Sequence, residues 1–174
     1  MEVFMDDAEE LFDVVDEDDK VIGQASRRDV HEKSLLHRAV HILVFNPDGD
    51  LFLQKRSMSK DENPGLWDTS AAGHVGAGED YHQTAQRELE EELGISESLK
   101  LYTSIKACPE TLWEHIRIYT CETRKIISIN TEEIDEGKFC EMGRISSALR
   151  KERHRFTSTF NLIFNLLNSS KRGF

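Results

Sequence analysis

The sequence predicts an α/β fold built around a mixed sheet. Three features point to it: short β-type segments that bracket polar turns, one uninterrupted helical stretch in mid-chain, and an amphipathic helical pattern near the C-terminal end. Leu11 to Val15 and Val21 to Gln24 are short apolar runs flanking Glu17-Asp18-Asp19-Lys20, the pattern of a hairpin. Ala39 to Phe45 and Leu51 to Gln54 flank Asn46-Pro47-Asp48-Gly49-Asp50, where proline and glycine supply turn dihedrals, giving a second hairpin. Asn63-Pro64-Gly65 then breaks the chain before Leu66-Trp67, and Gly73, Gly76 and Gly78 are expected in a loop. From Tyr81 to Leu93 the residues are good helix formers with no glycine or proline, and Gly94 stands where a helix stops. Leu99 to Cys108 and His115 to Glu122 read as strands, Phe139 to Met142 as a short strand, and Ile145 to Arg150 as a short helix. Phe160, Ile163, Phe164, Leu166 and Leu167 mark the apolar face of a C-terminal helix. No repeat or linker divides the chain, so residues 1–174 are expected to form one domain, with 1–30 as an acidic segment and hairpin.

The 174 residues carry 33 acidic and 22 basic side chains, for a formal net charge of −11. Ten of the acids lie between Met1 and Asp19 with no base among them, so the segment is expected to be a solvated hairpin and frayed end, and the rest of the chain is nearly neutral. That sign argues against a general binder of nucleic-acid polymers or anionic membranes, both of which would repel it. No run approaches the roughly 18–20 apolar residues of a spanning helix. The acidic start resembles neither a secretory signal nor a mitochondrial presequence, which makes a cytoplasmic location the expectation. Cys108, Cys121 and Cys140 have no CxxC spacing and read as small buried hydrophobes.

The chemistry concentrates in Gly73-His-Val-Gly-Ala-Gly-Glu79, followed after seven residues by Arg87-Glu-Leu-Glu-Glu-Glu-Leu-Gly-Ile95. On a helix, Glu88, Glu91 and Glu92 share one face and Glu90 falls opposite. Ala85, Leu89 and Leu93 form the adjoining apolar stripe, so the carboxylates border the core. Like charges three and four residues apart destabilise a helix by a few tenths of a kcal/mol per pair, which a divalent cation would offset. Mg²⁺ or Mn²⁺ prefers hard oxygen ligands and is commonly held by a few carboxylates together with substrate phosphate oxygens. The plainer reading of an EE-rich helix alone is a solvated face. The glycine loop at fixed spacing, Arg87 and the apolar stripe favour the metal reading.

Gly73, Glu79, Arg87, Glu88, Leu89, Glu91, Glu92, Gly94 and Ile95 resemble the Nudix box, G-x5-E-x7-R-E-U-x-E-E-x-G-U with U aliphatic, at all nine specified positions over residues 73–95. The resemblance implies a Nudix-type α/β/α sandwich around a mixed β-sheet. It also implies hydrolysis of a nucleoside diphosphate linked to another moiety, or of a related diphosphate. Carried over, Glu88, Glu91 and Glu92 would be metal ligands, Gly73 would offer its carbonyl to a metal, and Arg87 and Glu79 would hold the box carboxylates in position. Dimers are common in the family, so a homodimer is among the expectations.

Outside the box, the stretch from Leu11 through His37-Arg38-Ala39, then Leu53 to Lys60 and Pro64 to Trp67, is similar to type I isopentenyl diphosphate isomerase, a Nudix-fold relative. The similarity implies that Arg56, Lys60 and Arg27 grip a diphosphate. It also implies that His31, His37 and His74 help bind metal, with the His31 to His37 spacing one residue shorter here. The isomerase needs an acid/base on each side of its allylic unit, one being a cysteine just before the glycine-histidine that matches Gly73-His74. This chain has Ala72 there. A methyl group transfers no proton, so hydrolysis is favoured over isomerisation.

Other residues keep two readings. Arg56 and Lys60 are either surface charges or diphosphate partners. His37 and His41 alternate with Ala39, Leu43 and Phe45 and also fit hydrogen-bonded core positions; His74, beside the box glycine, is the stronger site candidate. The general base is sought after the box, at Glu136 or Glu114, although either suits a solvated position. Trp67, Trp113 and Phe139 would stack on a base or fill the core, the core being the better assignment for Trp67. Three functions follow: a Mg²⁺- or Mn²⁺-dependent pyrophosphatase acting on a small-molecule diphosphate, an isopentenyl diphosphate isomerase-like enzyme, and a non-catalytic binder of a diphosphate ligand.

Overall fold

The computed structural model describes residues 7–170. β1 (Leu11–Val15) and β2 (Val21–Ser26) form a separate antiparallel hairpin. It leads into α1 (Arg27–Glu32), capped by the Ser26 side chain on the Asp29 amide. The main sheet is built from β3 (His37–Phe45), β4 (Leu51–Arg56), β5 (Trp67–Asp68), β6 (Ala71–His74), β7 (Lys100–Ile105), β8 (Glu114–Glu122) and β9 (Ile134–Cys140). Its order is β5-β4-β3-β8-β7, with β6 also paired to β3 and β9 to β4. β3 and β8 run parallel and the other pairs antiparallel, so the sheet is mixed.

Alternation along β3 sends side chains to opposite faces. Val40, Ile42 and Val44 meet Ala85, Leu89 and Leu93 of α2 (Tyr81–Leu93). Ala39 and Leu43 join Ile116 and Ile118 of β8 beneath Ile145 of α3 (Met142–Glu152) and Phe160, Ile163, Phe164 and Leu167 of α4 (Ser158–Ser170). The result is an α/β/α sandwich. Each fully buried Leu, Ile or Phe contributes about 1.5–3 kcal/mol, so these two faces supply the main drive for the fold. Asp80 caps α2 by accepting from the Gln83 amide, and Gly94 ends it at φ 65°, a conformation glycine takes without strain.

Several expectations need correction. Gly73 lies in β6 rather than in a loop; Ala71-Ala-Gly-His has no β-branched residue, and the strand is stabilised by pairing Gly73 with Val40. β9 starts at Ile134 rather than Phe139 and ends before Met142, which opens α3. Its polar residues hid it, and Gly137 lies where a Cβ would be 2.5 Å from Phe52 Cζ. Of the cysteines only Cys121 is buried; Cys108 and Cys140 are half-exposed. Leu166, counted on the apolar face of α4, is 37% exposed.

The acidic N-terminal segment is docked, not merely solvated. Phe12 and Asp13 are buried. Asp13 accepts from the Gly78 amide at 3.0 Å, and Asp19 accepts from Arg38 Nε at 2.6 Å and from the Tyr81 hydroxyl at 3.0 Å. Glu2 and Asp6 lie outside the described residues. Among the described residues, no helix is long and apolar enough to cross a membrane.

Candidate active site

One pocket of about 290 Å³ opens between α2, the ends of β3, β4 and β6, and the loops around them. Glu88, Glu91 and Glu92 line it from α2, and Glu90 is exposed outside it. Glu92 is 7% exposed. Its Oε2 accepts from Gln54 Nε2 at 2.6 Å, and the same amide donates to the Ser70 carbonyl at 3.1 Å. Burial, with Glu88 beside it, pushes the Glu92 carboxyl up to about 8. Burial likewise raises Glu88 to about 7 against the pull of Arg87. A Cβ at Gly73 would stand 2.2 Å from Glu88 Oε1, so only glycine lets that carboxylate lie against β6.

Arg87 Nη1 donates to Glu88 Oε1 at 3.0 Å and to Glu91 Oε2 at 3.1 Å, and its Nη2 donates to Glu79 Oε2 at 3.2 Å. Glu79 Oε2 also accepts from the Gly76 amide and the Thr84 hydroxyl, both at 3.0 Å. Burial opposes its ionisation, but these donors hold its carboxyl below the usual range. Glu79 is outside the pocket lining and orders Arg87, which in turn orders Glu88 and Glu91.

Arg56, Lys60 and Arg27 also line the pocket. Arg56 Nε donates to the Glu62 carbonyl at 3.0 Å and its Nη1 lies 3.8 Å from Asp68 Oδ2. Lys60 pairs with Glu133, and Arg27 Nη2 with Asp61 at 3.1 Å.

At the far side of His74 stands a histidine cluster. His74 Nε2 is 2.8 Å from Glu114 Oε1, and the ring stacks on Phe12 at 4.8 Å between centroids. His37 Nδ1 is 2.9 Å from the Leu35 carbonyl, and His31 Nδ1 is 3.1 Å from Glu62 Oε1. The Leu35 carbonyl and the Glu62 carboxylate only accept, so each of these contacts places a proton on Nδ1, and His37 Nε2 lies 3.5 Å from Glu114 Oε1. His31 Nε2 and His37 Nε2 are buried with no hydrogen-bond partner. Burial, then His74 and His37, lowers His31 to about 4, so it is neutral at pH 7. Nitrogens of His31, His37 and His74 lie within 4.8 Å of one another, as do ligand atoms of Glu62, His74 and Glu114. Three imidazoles, two of them with a buried unpartnered nitrogen, together with the Glu114 carboxylate form a donor set that fits a transition-metal or zinc cation. Burial acts to raise the Glu114 carboxyl, but His37 and His74 outweigh it and hold it well below the carboxylate range.

Glu136 is not among the residues that line the pocket: it is exposed on β9 and its Oε1 is 3.5 Å from Lys138 Nζ. Glu114 lines the pocket. Trp67 is buried on the α3/α4 side of the sheet, Phe139 packs against the core on the α2 side, and Trp113 is 39% exposed and lines no part of the pocket. His41 is buried with Nδ1 2.7 Å from Thr69 Oγ1. Sequence reasoning missed Gln54, Glu62 and Asp68 as pocket residues, because nothing local distinguishes them from other strand and loop polars.

Sheet, helices and box together define the Nudix class of α/β/α sandwich. The NUDIX domain profile matches residues 35–160, and the chain belongs to the Nudix family. It is 33% identical over 165 residues to isopentenyl-diphosphate Delta-isomerase 2 of Photorhabdus laumondii, covering 92% of this chain and 93% of that one. It is 38% identical over 132 residues to an uncharacterized Nudix hydrolase of Yersinia pestis, covering 73% of this chain and 70% of that one. A crystal structure of a Deinococcus radiodurans protein superposes with a TM-score of 0.69 at 28% identity, covering 79% of this chain and 90% of that one. Nudix enzymes as a class use divalent metal ions.

Proposed function

We propose that this chain is a Mg²⁺- or Mn²⁺-dependent hydrolase of a small-molecule diphosphate, working as one catalytic domain over residues 1–174. The compartment we propose is the cytoplasm, and a solution mass measurement tests whether the chain forms the homodimer that is common in the family. One observation carries the activity: Glu88, Glu91 and Glu92 share a pocket with Arg56, Lys60 and Arg27. Carboxylates that share a pocket with basic side chains suit a diphosphate held together with a divalent cation.

Glu88, Glu92, Glu91 and the Gly73 carbonyl would hold the cation, which would supply positive charge against the phosphate oxygens and favour deprotonation of the attacking water. Arg87, fixed by Glu79, keeps Glu88 and Glu91 in place. Gln54 aims Glu92. Arg56, Lys60 and Arg27 orient the diphosphate for in-line attack. Glu91, the most exposed of the three box carboxylates and the one least committed to the cation, would accept the proton of the attacking water through the oxygen that Arg87 does not engage. Glu114 is a poor base, since His74 engages it and its conjugate acid is too strong. His31, His37 and His74, with Glu114, would hold a second cation that adds to the positive charge of the site.

The histidine cluster and the isomerase-named relative favour a second reading, allylic isomerisation. Against it, Ala72 presents a methyl group to the pocket. The test is a panel of nucleoside diphosphate sugars, dinucleotides, ADP-ribose and prenyl diphosphates with Mg²⁺ and Mn²⁺. Hydrolysis of one class, lost by more than about 100-fold in Glu92→Gln, supports the proposal, on the scale set by disturbing a metal's ligand environment. A double-bond shift in isopentenyl diphosphate without hydrolysis replaces it with the second reading. Saturable binding with no turnover across the panel leaves the chain a binder.

A further inference from the structure

We infer that Glu62 is a positioning residue that ties the histidine centre to the diphosphate grip, so that a cation on the histidines tightens the hold on a diphosphate. The inference rests on reading His31, His37 and His74 as a second cation centre.

Glu62 touches both sites by different groups. Its carboxylate meets His31 Nδ1 at 3.1 Å, while its backbone carbonyl accepts from Arg56 Nε at 3.0 Å. The neighbouring Asp61 holds Arg27, the other guanidinium of the diphosphate grip, at 3.1 Å. Arg27 and His31 are one turn apart on α1. Residues 61–62 and α1 therefore form a two-point clasp, Arg27 to Asp61 and His31 to Glu62, with each point joining a diphosphate partner or a histidine to the same short segment. Side-chain exposures of 21% for His31 and 26% for Glu62 place their contact in a partly desolvated setting, where a charge-assisted hydrogen bond is stronger than at an open surface.

The coupling follows from the tautomer. With its proton on Nδ1, His31 donates to Glu62 and leaves Nε2, which is buried and unpartnered, for a cation. A cation on Nε2 withdraws electron density from the ring, makes the Nδ1 proton more acidic and strengthens its bond to the Glu62 carboxylate. That fixes the Glu62 side chain and with it the carbonyl to which Arg56 is tied. Arg56 then meets the diphosphate with less orientational freedom left to lose. Linkage requires the reverse effect as well: bound diphosphate raises the affinity of the histidine centre by the same factor.

The experiment uses the full chain and two probes, Zn²⁺ and the non-hydrolysable methylenediphosphonate, under saturating Mg²⁺ to occupy the oxygen-rich box site. Zn²⁺ binding is counted by competition with a chromogenic chelator, with His37→Asn as the control that identifies the centre. Diphosphonate affinity is measured calorimetrically with and without one equivalent of Zn²⁺. The expected result is at least about a fivefold tightening by Zn²⁺, within the usual range of coupling between sites. Glu62→Ala should abolish the tightening while Zn²⁺ still binds, and Glu62→Gln should retain part of it. If Glu62→Ala fails to fold, the partial loss in Glu62→Gln decides. Tightening that survives Glu62→Ala, or Zn²⁺ binding without tightening in the unmodified chain, overturns the role of Glu62 and leaves the cation centre standing. No Zn²⁺ bound in a His37-dependent manner removes the centre and the inference together.

Discussion

Glu88 lies so close to the backbone of Gly73 that a Cβ on that residue would fall 2.2 Å from its Oε1 and Cδ. The atoms in the way belong to the far end of a flexible side chain, so a methyl group would be accommodated by swinging the carboxylate aside. Gly73→Ala should therefore fold with a melting temperature within a few degrees of the parent but lose about 10–100-fold in Mn²⁺ affinity. A Mn²⁺ titration beside a thermal melt checks this, and an unchanged affinity would count against Glu88 as a ligand.

Gln54 uses both amide protons, one on Ser70 O and one on Glu92 Oε2. Gln54→Leu keeps the volume of this buried position but leaves both acceptors without donors, a loss of about 1–3 kcal/mol for a buried unsatisfied group. The urea midpoint of the metal-free chain should fall accordingly. Metal affinity should fall too, because Glu92 loses the group that aims it. A drop in stability with metal affinity intact would make Gln54 structural only.

Metal-free protein should become less stable as pH rises from 6 to 8. Glu88 and Glu92 titrate near 7 and 8 in the fold, against about 4.5 for a free glutamate. Over that range the folded chain holds more protons at these carboxyls than the unfolded chain, and stability declines with pH wherever that is so. Glu114, held low by its histidines, is ionised in both states there and adds no slope; His31 and His41, lowered by burial, bind protons only when unfolded and oppose the decline near pH 6, so it is steepest between pH 7 and 8. Melting curves in EDTA at pH 6, 7 and 8 should show the decline, Glu92→Gln should flatten it, and Mg²⁺ should restore more stability at pH 8 than at pH 6. A flat parent profile would contradict the raised carboxyls.

The legible parts of the molecule were those whose signal is local. Residues 81–93 carry helical periodicity, a stop glycine and the box carboxylates in one short window, so the helix and the shared face of Glu88, Glu91 and Glu92 follow from spacing. The mixed sheet followed from turn chemistry and strand-like runs. What escaped depends on distant partners. β6 is four small residues held by β3, and β9 is a polar strand held by β4. Glu62 and Gln54 gain meaning only where α1 and α2 reach them. The N-terminal acids resembled a solvated run because their partners, Gly78, Arg38 and Tyr81, are far along the chain.

Asp19 gives that last point a measurable form. It sits at φ 63°, a strained conformation for a residue other than glycine, and holds it because three donors converge on it. Arg38 binds its Oδ1 through Nε at 2.6 Å and its carbonyl through Nη2 at 2.7 Å, and the Tyr81 hydroxyl binds its Oδ2 at 3.0 Å. Tyr81 is further clamped by the Arg117 guanidinium 4.2 Å above its ring. Asp19→Ala would remove the charge-assisted bonds and leave the backbone strain, a loss of about 2–3 kcal/mol. Asp18→Ala, one residue away and exposed, should stay within about 0.5 kcal/mol of the parent. The loss should also reach the histidine centre. β1 supplies Phe12, which stacks on His37 and His74, and α1 supplies His31, so loosening the hairpin lowers Zn²⁺ affinity while leaving Mg²⁺ at the box carboxylates nearly unchanged. Equal losses at both metals would show that Asp19 supports the whole domain, and no loss at either would return the acidic segment to a solvated appendage.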